Sequence, residues 1–159
     1  MEFRKATLDD VNELVKNRIQ MRRERELSYD FGRESLLELK LREFFSSHMT
    51  DEKFITWIAV EADNVIATAG VSFYVVPPES KNLSGKVAYI TNMYTKLEYR
   101  KKGIAKALLD KVVYEAKIRD CNKIILNASK SGRSLYEKYG FSELENEMVL
   151  YLSSRTDDI

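Results

Sequence analysis

The sequence predicts an α+β fold, a mixed central sheet of six to seven strands flanked by about four helices. Three observations carry the prediction. Two β-rich runs, Phe54 to Val60 and Val65 to Val76, flank an Asp63-Asn64 turn pair and read as an antiparallel hairpin. A helical stripe of Ile104, Ala105, Leu108, Leu109, Val112, Val113 and Ala116 follows a further β-rich run, Val87 to Thr95. Helical and extended segments alternate along 159 residues of 44% hydrophobic content, enough for one domain that buries about two-thirds of its unfolded surface.

Taken in order, Glu2 to Lys5 is a short alternating strand. Thr7 and Asp10 make a capping-box-like start for a helix carrying Val11, Leu14, Val15 and Ile19. After a break at Tyr29 to Gly32, Ser35 and Glu38 form a second capping pattern. Leu36, Leu37, Leu39, Leu41, Phe44 and Phe45 supply the apolar part of that helix, which ends near His48. Pro77-Pro78 stops the second hairpin strand, and Glu79 to Lys86 is an exposed loop. Beyond the Ile104 to Arg119 helix, Lys123 to Ala128 is a strand. Arg133 to Tyr139 is a short helix closed by Gly140 in a left-handed conformation, and Phe141 to Leu152 is a terminal strand pair. Residues 1–152 are expected to form a single domain, and 153–159 a short tail.

Composition excludes several classes of function. The 26 basic and 25 acidic residues leave a formal charge of +1, so no global field draws in nucleic acid or an anionic membrane. The single short cluster Arg100, Lys101, Lys102 lacks the extended basic stripe of a nucleic-acid binder. One cysteine, Cys121, and one histidine, His48, cannot build a structural zinc site or an internal disulfide, so no metal is expected. No run approaches the ~20 apolar residues of a membrane span, and the amino terminus lacks a signal-peptide core. A cytoplasmic protein, monomer or homodimer, is the expectation.

The sharpest local feature is Tyr99-Arg100-Lys101-Lys102-Gly103-Ile104-Ala105, set between a strand and the strongest helix. A helix amino terminus leaves about four N–H groups without internal partners and carries partial positive charge, so it binds phosphate. Gly103 permits a left-handed turn, Ala105 keeps the helix start open, and three cations suit a pyrophosphate. A solvated basic turn is the alternative for the hexapeptide alone. Neither a Walker loop ending in Gly-Lys-Ser/Thr nor a Gly-x-Gly-x-x-Gly turn is present, so a coenzyme pyrophosphate fits better than a nucleoside triphosphate.

Arg100, Gly103 and Ala105 fit the Arg/Gln-x-x-Gly-x-Gly/Ala signature, and the chain here resembles the GNAT superfamily of N-acetyltransferases. The match widens to Asn92 through Arg100 and to the block Leu135-Tyr136-Glu137-Lys138-Tyr139-Gly140-Phe141. The resemblance implies acetyl-CoA as cosubstrate. Its pyrophosphate would lie on the N–H groups of Lys101, Lys102, Gly103, Ile104 and Ala105, with Arg100 of the signature also binding the cofactor, and its pantetheine arm against the backbone of Met93, Tyr94 and Thr95. It also implies that the fourth and fifth strands splay apart. Asn127 and Ser129 stand near the position of a coenzyme-contacting asparagine found in many relatives.

The resemblance assigns Tyr136 as general acid to the departing thiolate, a role its phenol suits with a pKa near 10. The alternative is a tyrosine that packs its helix on the sheet. Where many relatives carry a glutamate on the fourth strand, this chain has Tyr89, Thr91 and Asn92. A proton would then leave through water held by Asn92 or Thr91. Arg22, Arg25, Tyr29, Phe31 and Tyr74 are candidate walls of the acceptor pocket, against the alternative that Met21 to Glu26 is a solvated charged face. The function expected is transfer of an acetyl group from acetyl-CoA to a primary amine of a small molecule or peptide. The alternative is a catalytically weak acyl-CoA-binding or sensing module.

Overall fold

The computed structural model describes residues 1–26 and 28–152, so the tail expected over 153–159 lies outside the described residues. The chain divides into two compact units, Met1–Asn127 and Ala128–Ile159. The first contains β1 (Glu2–Lys5), α1 (Val11–Arg25), α2 (Glu34–His48), β2 (Phe54–Glu61), β3 (Asn64–Val75), β4 (Lys86–Thr95), α3 (Ile104–Ile118) and β5 (Lys123–Leu126). The strands form one sheet in sequence order, β1-β2-β3-β4-β5. The first four are antiparallel, and β5 joins β4 in parallel after the α3 crossover.

Alternation along β2 shows how the sheet is covered. Phe54 and Ile58 belong to a core with Val11, Leu14, Val15 and Ile19 of α1 and Phe45 of α2. Trp57 points the other way, and its Nε1–H donates to the Glu115 carboxylate of α3 at 3.1 Å. Thus α1 and α2 cover one face of the sheet and α3 the other. The stripe read from the sequence is the buried side of α3, with Leu108, Leu109 and Val112 fully enclosed.

Helix starts follow local chemistry, with one displacement. The Thr7 N–H donates to Asp10 at 2.8 Å, and Arg4 forks onto the same carboxylate at 2.7 and 2.8 Å. The hydrogen bond from Arg4 is the main reason that the Asp10 carboxyl titrates below its ordinary value. The second helix begins earlier than the Ser35–Glu38 pattern suggests. Asp30 accepts the Gly32 N–H at 2.9 Å, and a 3-10 turn over Phe31–Arg33 runs directly into α2 at Glu34.

The second unit holds α4 (Arg133–Tyr139), closed as expected by Gly140 at φ +115°. The Gly140 N–H meets the carbonyls of Tyr136 and Glu137, both at 3.1 Å. The six to seven strands expected become five among the described residues, because Phe141 to Leu152 forms no strand there. The run Met148 to Leu152 has the composition of a strand but is exposed throughout, Met148 to 94%. Strand propensity describes fit to a half-buried pleated surface, and only pairing supplies that surface.

Candidate active site

The turn before α3 has the conformation its glycine suggested. Lys101 and Gly103 are both left-handed, at φ +62° and +79°, and Gly103 caps α3. Among the described residues, the backbone N–H groups of Lys101 to Ala105 meet no acceptor within the chain. A Cβ on Gly103 would find nothing within 4 Å, so the space above the turn is open. The result is a concentration of unpaired donors at the positive end of a fifteen-residue helix.

The three cations beside this turn are not equivalent. Arg100 turns back along β4: its Nε–H donates to the Thr95 carbonyl at 2.9 Å and its terminal nitrogen pairs with Glu24. Lys102 lies over the Tyr99 ring at 5.0 Å, and Lys101 is exposed. Glu24 also accepts the Tyr94 hydroxyl at 2.8 Å. Burial draws the Glu24 carboxyl upward, but hydrogen bonds from Arg100, Gln20 and Tyr94 outweigh it and hold the group below its ordinary value. Burial and that carboxylate push the Tyr94 phenol up to about 12.

β4 has an open edge. β5 pairs with it only from Val87↔Lys123 to Ile90↔Leu126, so among the described residues Thr91 to Thr95 run on without a strand neighbour on that side. The β3 register shifts here as well. Gly70 opposes Thr91 and Thr68 opposes Tyr94, so Asn92 and Met93 together face Ala69 in a bulge. Asn92 takes φ +57°, a left-handed conformation that asparagine adopts more readily than most residues, and its carbonyl accepts the Thr68 hydroxyl at 2.7 Å. The Met93 carbonyl accepts Arg25 at 2.9 Å.

On the α1–α2 side of this bulge lies a cavity of ≈ 300 Å³. Its aromatic wall is Phe44, Phe45 and Phe54, extended by Leu37 and Leu41 of α2. Arg18, Thr91 and Asn92 supply polar groups, and exposed Lys40 also lines it. Arg18 donates to the Thr91 hydroxyl at 3.2 Å. Burial, aided by repulsion from Arg22 and Arg25, lowers its guanidinium to about 10, still charged at neutral pH. Gly70 makes room for this wall: a Cβ there would lie 2.4 Å from Phe54 Cζ and 3.2 Å from Asn92 Cβ.

The residues singled out in the sequence are dispersed unequally. Met93, Tyr94, Thr95, Arg100 and Arg25 converge along the far half of β4. Arg22 pairs with Glu26 at the C-cap of α1, and Tyr29 meets Phe31 edge-on at 4.9 Å in the helix connection. Tyr74 pairs with Val87 at the other end of β4, about 20 Å of strand from Met93, so it does not join them. Asn127 donates to the Tyr89 hydroxyl at 2.8 Å. In the second unit, Ser129 receives the Gly132 N–H through its hydroxyl at 3.2 Å and organises the turn into α4. Tyr136 packs edge-on against Phe141 at 5.9 Å.

Arg18, Glu24 and Gly70 were not anticipated as site residues. Arg18 left a detectable signal: it falls four residues after Leu14 and seven after Val11, a cation within an apolar helical stripe. Glu24 and Gly70 left none, since Tyr94 and Arg100 lie 70 and 76 positions from Glu24 and the neighbours of Gly70 lie across the sheet.

The site thus combines a left-handed turn of N–H donors at a helix start with a bulged strand, the features for which the resemblance to N-acetyltransferases implies a coenzyme. The chain matches the Acetyltransferase (GNAT) family model over residues 18–141, and it belongs to that family. It is similar to a predicted acetyltransferase from Clostridium acetobutylicum solved with acetyl-CoA, at 36% identity, TM-score 0.86, covering 94% of this chain and 95% of that one. A GCN5-related N-acetyltransferase from Ralstonia eutropha JMP134 is 25% identical at TM-score 0.85, over 95% and 97% of the two chains. A ribosomal-protein-alanine N-acetyltransferase from Brucella melitensis biovar Abortus 2308 shares the fold at 20% identity, TM-score 0.70, over 96% and 100%. Among the described residues, no helix is long and apolar enough to cross a membrane.

Proposed function

We propose that residues 1–152 act as one cytoplasmic N-acetyltransferase domain that moves an acetyl group from acetyl-CoA to a primary amine by direct attack. The observation that carries this reading is the coincidence, on one strand, of the Asn92 bulge and the open Thr91–Thr95 edge, ending at the donor-rich turn before α3. A pyrophosphate suits the N–H groups of Lys101 to Ala105, with Lys101 and Lys102 supplying charge. The backbone of Met93 to Thr95 suits an amide-bearing arm, with Arg25 and Arg100 giving up carbonyls they now hold.

Acetyl-CoA brings the activated thioester; the chain orients it and manages protons. Asn92 is 3% exposed and its side chain has no hydrogen-bond partner among the described residues, which suits it to hold an attacking amine or the water that removes its proton. Tyr136 is assigned as the acid that protonates the leaving sulfur, on the strength of the Leu135–Phe141 block and the phenol's basicity. Titration calorimetry with acetyl-CoA and thiol-release assays over an amine panel test the proposal. Binding with turnover supports it. Binding without turnover on any amine favours a sensing module, and no binding at millimolar acetyl-CoA by the folded protein rejects both.

A further inference from the structure

The cavity beside the bulge carries more chemistry than acetyl transfer alone requires. Arg18 is half-buried, and its one hydrogen bond among the described residues is to the neutral Thr91 hydroxyl. No carboxylate among the described residues forms an ion pair with it, and the cations Arg22 and Arg25 repel its charge. A charge withdrawn from water without a counter-ion is costly, so an anionic group entering this cavity would be held by the guanidinium fork. The second cation in the lining, Lys40, is already offset by Glu43 at 2.8 Å.

The rest of the cavity narrows the ligand. Asn92 presents both an unpaired donor, Nδ2, and an unpaired acceptor, Oδ1, although it is almost wholly buried. The remaining wall is aromatic and aliphatic, with Phe54 ring centres 5.1 Å from Phe44 and 5.7 Å from Phe45. No acidic residue lines the cavity, so a second positive charge on the acceptor would find no partner. At ≈ 300 Å³ the cavity stands at the small end of ligand sites, which run to about 1,000 Å³.

Building on the transferase reading, we propose that the acceptor is a small amine bearing a carboxylate and a large apolar side chain, a free apolar or aromatic α-amino acid. Its carboxylate sits on Arg18, its side chain against Phe44, Phe45 and Phe54, and its amine beside the Asn92 amide at the open edge of β4. The amine nitrogen bonds to the acetyl carbonyl carbon as the carbon–sulfur bond breaks. The nitrogen releases one proton to water, and the sulfur leaves as a thiol with a proton drawn ultimately from solvent.

Calorimetric binding of L-phenylalanine, phenylalaninamide and phenethylamine to the full chain with coenzyme A tests the assignment, alongside thiol release from acetyl-CoA with the same amines. L-Phenylalanine is expected to bind about tenfold or more tightly than either compound lacking a carboxylate. Arg18→Gln is expected to melt no lower than the parent and to reduce that preference to a few-fold at most, while Arg18→Lys keeps part of it. Equal binding of acid and amide by the parent, a preference that survives in Arg18→Gln, or no binding of L-phenylalanine, L-leucine and L-methionine overturns the proposal. Faster turnover of amines without a carboxylate overturns it too, and leaves the transferase reading standing. Carboxylate-selective binding with no turnover of any amine supports the cavity assignment and rejects the transferase reading.

Discussion

Glu115 is the pin that holds α3, and with it the donor-rich turn, against β1 and β2. Its carboxylate is 2% exposed and receives Lys5 at 2.8 Å, Trp57 Nε1–H at 3.1 Å and Arg119 at 2.6 Å. Removing one member of a buried ion pair ordinarily costs about 3–5 kcal/mol, because the remaining charge is stranded. Here the cations are less confined: the Lys5 side chain is 48% exposed and Arg119 24% exposed, with Glu52 at 3.7 Å as a second partner. The loss of those two charge pairs is therefore smaller, and the Trp57 N–H left without an acceptor adds about 1–3 kcal/mol. We expect Glu115→Ala to lose about 2–4 kcal/mol in total. That corresponds to a melting temperature lower by about 4–16 °C for a chain of this length.

The pH dependence of this loss provides a second readout. Burial raises the Glu115 carboxyl, but its bonds from Lys5, Arg119 and Trp57 prevail and place it below its ordinary value of 4.5 in the folded state. A depressed folded value means that the stabilisation is complete above the unfolded value and disappears as pH falls through the folded one. In denaturant melts, the gap between the parent and Glu115→Gln should stay constant from pH 7 to about 5 and shrink below that. A melting temperature lowered by less than about 2 °C, or a gap that is unchanged at pH 3, would refute the reasoning.

Gly70→Ala places a Cβ 2.4 Å from Phe54 Cζ and forces that ring toward the cavity it lines, and should cost about 1–3 kcal/mol in chemical unfolding while weakening apolar amine binding. Gly103→Ala meets no atom within 4 Å, so only its left-handed backbone is strained. A loss of about 1–2 kcal/mol with weaker acetyl-CoA binding is expected, measured by melts and calorimetry. Tyr136→Phe should lower turnover about 100-fold or more and leave the acetyl-CoA dissociation constant nearly unchanged; a parallel loss of both would assign the tyrosine to packing.

Much of the frame was legible in the chain because its determinants are local. The α3 stripe, the hairpin (its turn at Ala62-Asp63, one residue before the expected Asp63-Asn64 pair), the Gly103 and Gly140 caps and the α4 boundaries each depend on residues within a few positions of one another. The displaced start of α2 is also a local matter: Asp30, not Ser35, supplied the capping oxygen. The bulge was not legible. Asn92 carries no turn signal inside Val87 to Thr95, and its left-handed backbone arises from the register of β3 against β4, where Gly70 and Thr68 set the count.

By itself the sequence determined the order of elements from β1 to α4, the position of the donor-rich turn and the resemblance to N-acetyltransferases, since periodicity, caps and contiguous motifs are written along the chain. Tertiary structure alone decided that β4 has an open edge, that Glu24 claims Arg100, and that Arg18 enters an aromatic cavity without a carboxylate. Each of these depends on which distant residue arrives as a neighbour. Pairing and burial are properties of two segments together, and neither segment's own pattern specifies the other.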